Sequence, residues 1–308
     1  MSNFIPHDRA EVNNSVSGIL VIDKPVGMTS HDVVQAVRNG THLRRAGHTG
    51  TLDPRASGVL VLLLGPAVRL SEYVSTSTKR YQATLQLGFT TATYDLEGEV
   101  MGRSPVNITY EEFEEALKDF VGEFEQKPPA YSAIKIGGKK AYDLARKGEE
   151  VDLDPRMISV TSIDLLDWNP PEAMIDVECS SGTYIRSLVY DLGEKLGCGA
   201  TLTALRRTRN GQFTMREAIP LRKLQEAFVN GDWYKYLIPA AEALSDWYTI
   251  ELDEEALDEV RHGHRIPAAE VVESGKWARA ISQDSELVAL MQYDDDTHEW
   301  QPRKVFFQ

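Results

Sequence analysis

Gly47-His48-Thr49-Gly50-Thr51-Leu52-Asp53-Pro54-Arg55-Ala56-Ser57-Gly58, running straight into Val59-Leu60-Val61-Leu62-Leu63-Leu64, is the stretch of this 308-residue chain on which the fold turns. The first twelve residues are rich in Gly, Thr, Asp and Pro, the composition of an ordered loop. The apolar run that follows, bounded by Gly58 and Gly65-Pro66, reads as a buried strand. The loop lacks the Gly-Lys-Ser/Thr ending of a phosphate-cradling loop and is not a Gly-x-Gly-x-x-Gly turn. No Gly-x-Ser-x-Gly nucleophile elbow occurs in the chain. What the loop offers is a carboxylate, Asp53, held in a turn by Pro54, with His48 five residues upstream. Spacing alone leaves two readings open: a catalytic carboxylate, or an Asp that bonds its own turn.

Working outward, Gly18 to Ile22 is a short apolar strand ending at Asp23-Lys24-Pro25, and Thr29-Ser30 caps a helix through Val37. Lys79 to Leu87 alternates like a half-buried strand, and Glu99-Val100-Met101 pairs back after the turn at Asp95 to Gly98. Thr109 with Glu112 forms a capping box before the apolar face of Phe113, Leu117 and Phe120. Residues 127–156 form a long, basic, Gly-containing segment of the kind that is usually functional in a compact domain. Ala173 to Cys179 reads as a strand, Tyr184 to Leu196 as a helix and Thr201 to Arg207 as a further short element. Residues 1–17 read as a flexible tail, 220–245 as a connection and 245–308 as a small β-rich domain.

Lys and Arg number 33 against 47 Asp and Glu, a net charge of −14. That balance argues against a nucleic-acid partner until its distribution is considered. Residues 225–308 carry 7 basic and 18 acidic side chains, whereas residues 1–224 carry 26 and 29. Basic residues cluster at Arg38 to Arg55, at Lys135 to Lys147 and at Arg206 to Arg209. Screening over roughly 8 Å at physiological salt lets a local basic groove persist beside a distant acidic domain. Two cysteines, Cys179 and Cys198, give neither a disulfide framework nor, with seven histidines, a zinc spacing. With no signal-like N-terminus and no apolar run long enough to span a bilayer, a cytoplasmic setting is expected.

Several segments taken together resemble the bacterial tRNA pseudouridine synthases of the TruB type. They are Leu20 to Ser30, Gly47 to Gly58, Lys79-Arg80-Tyr81, Lys127 to Lys135, Gly182 to Leu188 and Leu205 to Phe213, in the family's order. The resemblance implies an α/β (α+β) pseudouridine synthase fold with a mixed, mainly antiparallel central sheet over residues 18–240. It implies, more loosely, a small PUA-like β domain at 245–308. The activity implied is isomerisation of the uridine at position 55 in the T-loop of tRNA, with no cofactor and no metal, by a monomer for which no protein partner is expected.

Residue by residue, Asp53 matches the family's catalytic aspartate and Arg186 the basic residue paired with it, which supplies the counter-charge a partly buried carboxylate needs. Tyr81 matches the tyrosine that stacks on the flipped base, also a candidate for handling the C5 proton. His48 matches the residue set against the opened loop of the RNA. Lys24, Arg55, Tyr184, Leu205 and Arg206 are expected around the pocket as RNA contacts, Lys24 and Pro25 also shaping it. Residues 127–152 match a mobile insert, so Lys135, Lys139, Lys140 and Arg146 are expected at phosphates, contacts that position RNA without reading its sequence. Two rivals remain at this level: an RNA-binding or tRNA-folding module with an idle pocket, and a nucleoside or glycoside hydrolase. The hydrolase normally requires a second carboxyl group, for which a distant acid such as Asp95 would have to approach Asp53.

Overall fold

The computed structural model describes residues 16–132, 134–149 and 151–306, without the side chains of 135, 136, 139 and 140. The expected tail is therefore outside the described residues up to position 15. In chain order the strands are β1 (Gly18–Lys24), β2 (Ala46–His48), β3 (Ala56–Leu64), β4 (Lys79–Leu87), β5 (Phe89–Thr91), β6 (Val100–Arg103), β7 (Gly122–Gln126), β8 (Lys135–Ile136), β9 (Lys139–Lys140), β10 (Arg156–Asn169), β11 (Glu172–Cys179), β12 (Ala200–Asn210), β13 (Phe213–Thr214), β14 (Ile219–Pro220) and β15 (Ile238–Pro239). The helices between them are α1 (Ser30–Thr41), α2 (Ser71–Val74), α3 (Tyr110–Lys118), α4 (Ala141–Ala145), α5 (Ile185–Lys195) and α6 (Leu221–Asn230).

The central sheet runs β14-β1-β3-β12-β4-β11-β10-β7. Along this path β1 with β14 and β3 with β12 are parallel and the other neighbours antiparallel, so the sheet is mixed and mainly antiparallel. The run Val59 to Leu64 does not alternate in polarity because β3 is covered on both faces. Leu60, Leu62 and Leu64 join the core under α1, α5 and α6, whereas Val59, Val61 and Leu63 face the opposite cluster. The expected capping box forms at Thr109, and the cap expected at Thr29-Ser30 is also a capping box: the Thr29 side chain accepts from the Asp32 amide and the Thr109 side chain from the Glu112 amide, each acid bonding back.

Two elements depart from the sequence expectation. The segment 220–245 contains the helix α6, whose Leu221, Leu224 and Ala227 bury against the core. The 127–156 segment holds the β8–β9 hairpin and α4, and it ends on β10, a fourteen-residue strand.

Beyond a 3-10 turn at Ala240–Leu244, a second sheet is built from β16 (Tyr248–Glu251), β17 (Ile266–Pro267), β18 (Trp277–Ile281), β19 (Leu287–Asp294) and β20 (Glu299–Val305), in the order β16-β18-β19-β20-β17. It carries one helix, α7 (Glu254–Arg261), with its own apolar centre around Val260, Met291 and Trp300. The two sheets meet at an aromatic trio in which Tyr73 of α2 lies 5.5 Å from both Trp247 and Trp277, a contact that buries apolar rings from both sides. Among the described residues no helix is long and apolar enough to cross a membrane.

Gly58 shows how closely β3 and β12 approach. It sits at φ +98°, and a Cβ there would stand 2.2 Å from the Arg207 carbonyl oxygen. Gly58→Ala is expected to lower unfolding free energy by about 2 kcal/mol or more, read by urea denaturation.

Candidate active site

The Gly47–Gly58 loop is fastened from the N-terminal segment. Ser30 Oγ accepts from the Leu52 amide at 2.8 Å and donates to the Leu52 carbonyl at 3.0 Å. The Gly27 amide donates to the Pro54 carbonyl at 2.8 Å. Lys24, fully buried, donates to the carbonyls of Met28 (2.6 Å), Pro25 (2.9 Å) and Pro54 (3.4 Å). Burial pulls its ammonium pKa down to about 8, against the opposing attraction of Asp53. The sequence reading has Lys24 both shaping the pocket and contacting RNA; its bonds to these carbonyls tie the turn.

Within this frame Asp53 closes its turn by accepting the Ala56 amide on its carbonyl at 3.0 Å, which leaves its half-exposed carboxylate facing a cavity. Arg186, in the first turn of α5 and only 6% exposed, places Nη2 3.0 Å from Asp53 Oδ2 and Nη1 3.4 Å from Asp95 Oδ2. The same guanidinium donates to the carbonyls of Thr93 (3.2 Å) and Tyr131 (3.1 Å). Asp95 is itself buried, its Oδ1 accepting from Thr93 Oγ1 at 2.5 Å and from the Glu97 amide at 2.9 Å. The distant acid therefore does approach, but with Arg186 between it and Asp53; it is a second anchor for the arginine, not the free acid a hydrolase would need.

The cavity, 430 Å³, is lined by Asp53, Tyr81, Arg186, Tyr184, Leu205 and His48, together with Gly50, Lys79 and Arg207. Tyr81 is buried at 7% exposure, and burial raises its hydroxyl pKa while the neighbouring Arg207 opposes the rise. A phenol held protonated in this way offers a ring face to a planar ligand. Tyr184 is fixed by a reciprocal pair with Gln126, whose side chain accepts from the Tyr184 amide at 2.8 Å and donates to its carbonyl at 3.0 Å. His48 stands at the end of β2. Burial lowers its pKa, with Arg207 and His31 adding to the effect, and its Nδ1 lacks a hydrogen-bond partner among the described residues.

The basic clusters separate in three dimensions. Arg55 is exposed beside the pocket, 3.8 Å from Glu97. Arg146 is exposed on the insert with its guanidinium over the Tyr142 ring. The backbones of Lys135, Lys139 and Lys140 form the insert's hairpin, and their side chains lie outside the described ones. At the root of the insert Lys127 pairs with Asp152 at 2.7 Å. Arg206 lines a different groove from Asp53. Alternation along β12 sends Leu205 and Arg207 toward Asp53 but turns Arg206 away, onto Asp23 at 2.9 Å and into a separate groove beside Pro25 and Met28. The period of two in Leu205-Arg206-Arg207 was the signal that would have picked Arg207 instead. Among the described residues no three His, Cys, Asp or Glu side chains gather as a metal site.

Fold and pocket together define a mixed α/β protein whose cavity sets an arginine-braced aspartate beside a tyrosine ring. The sequence pattern of the TruB family pseudouridylate synthase N-terminal domain matches residues 38–185, and that of the tRNA pseudouridylate synthase B C-terminal domain matches residues 186–245. The chain is 41% identical to the tRNA pseudouridine synthase B of Pseudomonas aeruginosa (strain UCBPP-PA14) over 288 residues, 92% of this chain and 94% of that one. It is 44% identical to the protein of that name from Thiobacillus denitrificans (strain ATCC 25259 / T1), over 83% of this chain and 85% of that one. A chain of an H/ACA RNP bound to a substrate RNA containing 2′-deoxyuridine superposes with a TM-score of 0.74 at 25% identity, covering 94% of this chain and 85% of that one. A chain of a Cbf5-Nop10-Gar1 complex gives 0.74 at 26%, over 98% and 88%. The chain belongs to the TruB family of pseudouridylate synthases.

The protonation of His48 has a measurable sign. Below pH 6.5 the unfolded chain takes up a proton that the buried imidazole refuses, so folding stability falls as pH drops through this window. An NMR titration should place the His48 midpoint below 6.5, and His48→Gln should remove its share of the acid-side loss.

Proposed function

We propose that this enzyme isomerises uridine to pseudouridine in tRNA, at position 55 of the T-loop, with Asp53, Arg186 and Tyr81 as its catalytic group. The observation that carries this reading is the 3.0 Å contact between Asp53 and the buried Arg186 in a pocket that also holds the Tyr81 ring. The reaction breaks the C1′–N1 bond of the target uridine, rotates the freed uracil and joins C5 to C1′. The C5 proton is lost and N1 gains one, so atoms and electrons balance without redox chemistry. Asp53 supplies the carboxylate this exchange requires, as nucleophile or proton acceptor. Arg186, anchored from behind by Asp95, fixes the direction of that carboxylate.

The uridine reaches Asp53 only after leaving the RNA stack, at a cost of a few kcal/mol. Stacking on Tyr81 returns about 1–3 kcal/mol, with Leu205 and Tyr184 bounding the ring. His48 lies where the opened RNA loop would pass. We assign Arg55, Arg146, Lys135, Lys139 and Lys140 to the T-arm backbone, so that the folded loop's shape supplies most of the specificity. Residues 18–240 are the catalytic unit and 245–308 an accessory β domain, in a monomer acting in the cytoplasm.

Two measurements test this. Purified enzyme given an unmodified tRNA transcript should form a single pseudouridine, mapped by carbodiimide and reverse transcription. Asp53→Asn should lose activity by a factor on the order of 10⁴ or more while still binding tRNA. Free uracil as the product would favour a hydrolase and sink the assignment. Separately, changing Lys139 and Lys140 together to Ala should weaken tRNA binding and reduce the slope of log K against log salt by about 2, with saturated turnover little altered. Collapse of saturated turnover at unchanged affinity would remove the insert from the binding role.

A further inference from the structure

Strands β4 and β12 carry five cationic side chains, and their partners divide them into two kinds. Arg80, Arg206 and Arg209 lie off the pocket, and each pairs with a carboxylate: Asp176, Asp23 and Glu178. Lys79 and Arg207 line the pocket, and among the described residues neither has a carboxylate partner. Both are buried, at 6% and 1% exposure. They are held by neutral carbonyls: Lys79 Nζ donates to Ser77 at 2.6 Å and Ser75 at 3.0 Å, and Arg207 donates to Val59 at 2.7 Å and Gly50 at 3.0 Å. The two cations converge on Gly50, where a Cβ would stand 3.3 Å from Arg207 Nη1 and 3.7 Å from Lys79 Cε. A side chain at that position would crowd the approach to both.

Burying two like charges together without a counter-ion is costly, and the cost disappears when an anion arrives. We propose that Lys79 and Arg207 form a phosphate subsite inside the pocket that receives a phosphodiester flanking the flipped uridine. The inference rests on the RNA-modifying reading above and deepens it. A nucleotide whose base lies against Tyr81 carries a phosphate on each side of its ribose, and a phosphodiester presents two unesterified oxygens to an ammonium and a guanidinium. Burial and the neighbouring Arg207 draw the Lys79 pKa down to about 8, and a phosphate beside the ammonium opposes that shift.

The test uses the full-length enzyme and an RNA T-stem-loop with a neutral methylphosphonate at the phosphate either 5′ or 3′ of the target uridine. Neutralising one of the two linkages should weaken binding to the wild type about tenfold. The same substitution should cost little in Lys79→Met and should cost the full amount again in Lys79→Arg. Equal losses in wild type and Lys79→Met, or no loss at either linkage in the wild type, would overturn the subsite. If Lys79→Met does not fold by circular dichroism, the comparison moves to Lys79→Gln, where a loss equal to that of the wild type again overturns it. Failure of the wild type to convert the unmodified stem-loop would instead count against the parent reading, so the two failures are distinguishable.

Discussion

A single guanidinium organises the catalytic end of this molecule. Arg186 is buried, and a buried arginine is tolerable only when its donors are matched. Its partners come from three separate parts of the chain: Asp53 from the loop before β3, Asp95 and Thr93 from the turn between β5 and β6, and Tyr131 from the start of the insert, while α5 carries the arginine itself. Satisfying that one group fixes where these segments meet. The second carboxylate matters as much as the first. With Asp95 and the Thr93 and Tyr131 carbonyls behind it, the arginine is clamped and the Asp53 carboxylate aligns to a fixed donor.

The architecture of the loop's support follows the same logic with backbone carbonyls in place of carboxylates. Lys24 draws three carbonyls around one ammonium and so converts an irregular turn into a rigid one. Ser30 and Gly27 complete the attachment through backbone groups, a use of polar side chains that needs no exact side-chain partner on the catalytic loop. The sequence segment Leu20 to Ser30 thereby acts on chemistry it never touches.

Much of this was legible from the residues. Alternation located β4, the unbroken apolar run located β3, and a helix cap and a capping box located α1 and α3. The order of the motifs identified the family and, through it, Asp53, Tyr81 and Arg186 as the residues to look for. What stayed hidden depended on contacts between distant segments. The strand β10 carries charged and apolar residues on an irregular schedule, because bulges interrupt its pairing with β11. The helix α6 lies where the sequence reads as a connection, although Pro220 and Gly231 mark its ends. Lys24 and Arg206 look like free cations in the sequence; only the fold shows one enclosed by carbonyls and the other turned to Asp23. Asp95 has no motif around it, and its importance comes from the arginine it meets.

The aromatic trio at the junction of the two sheets has a mechanical consequence. Tyr73 packs on Trp247 and Trp277, and the chain leaving that tyrosine supplies the Ser75 and Ser77 carbonyls that hold Lys79. The acidic C-terminal sheet is therefore a buttress: it backs, from behind, the segment whose carbonyls pin one wall of the pocket.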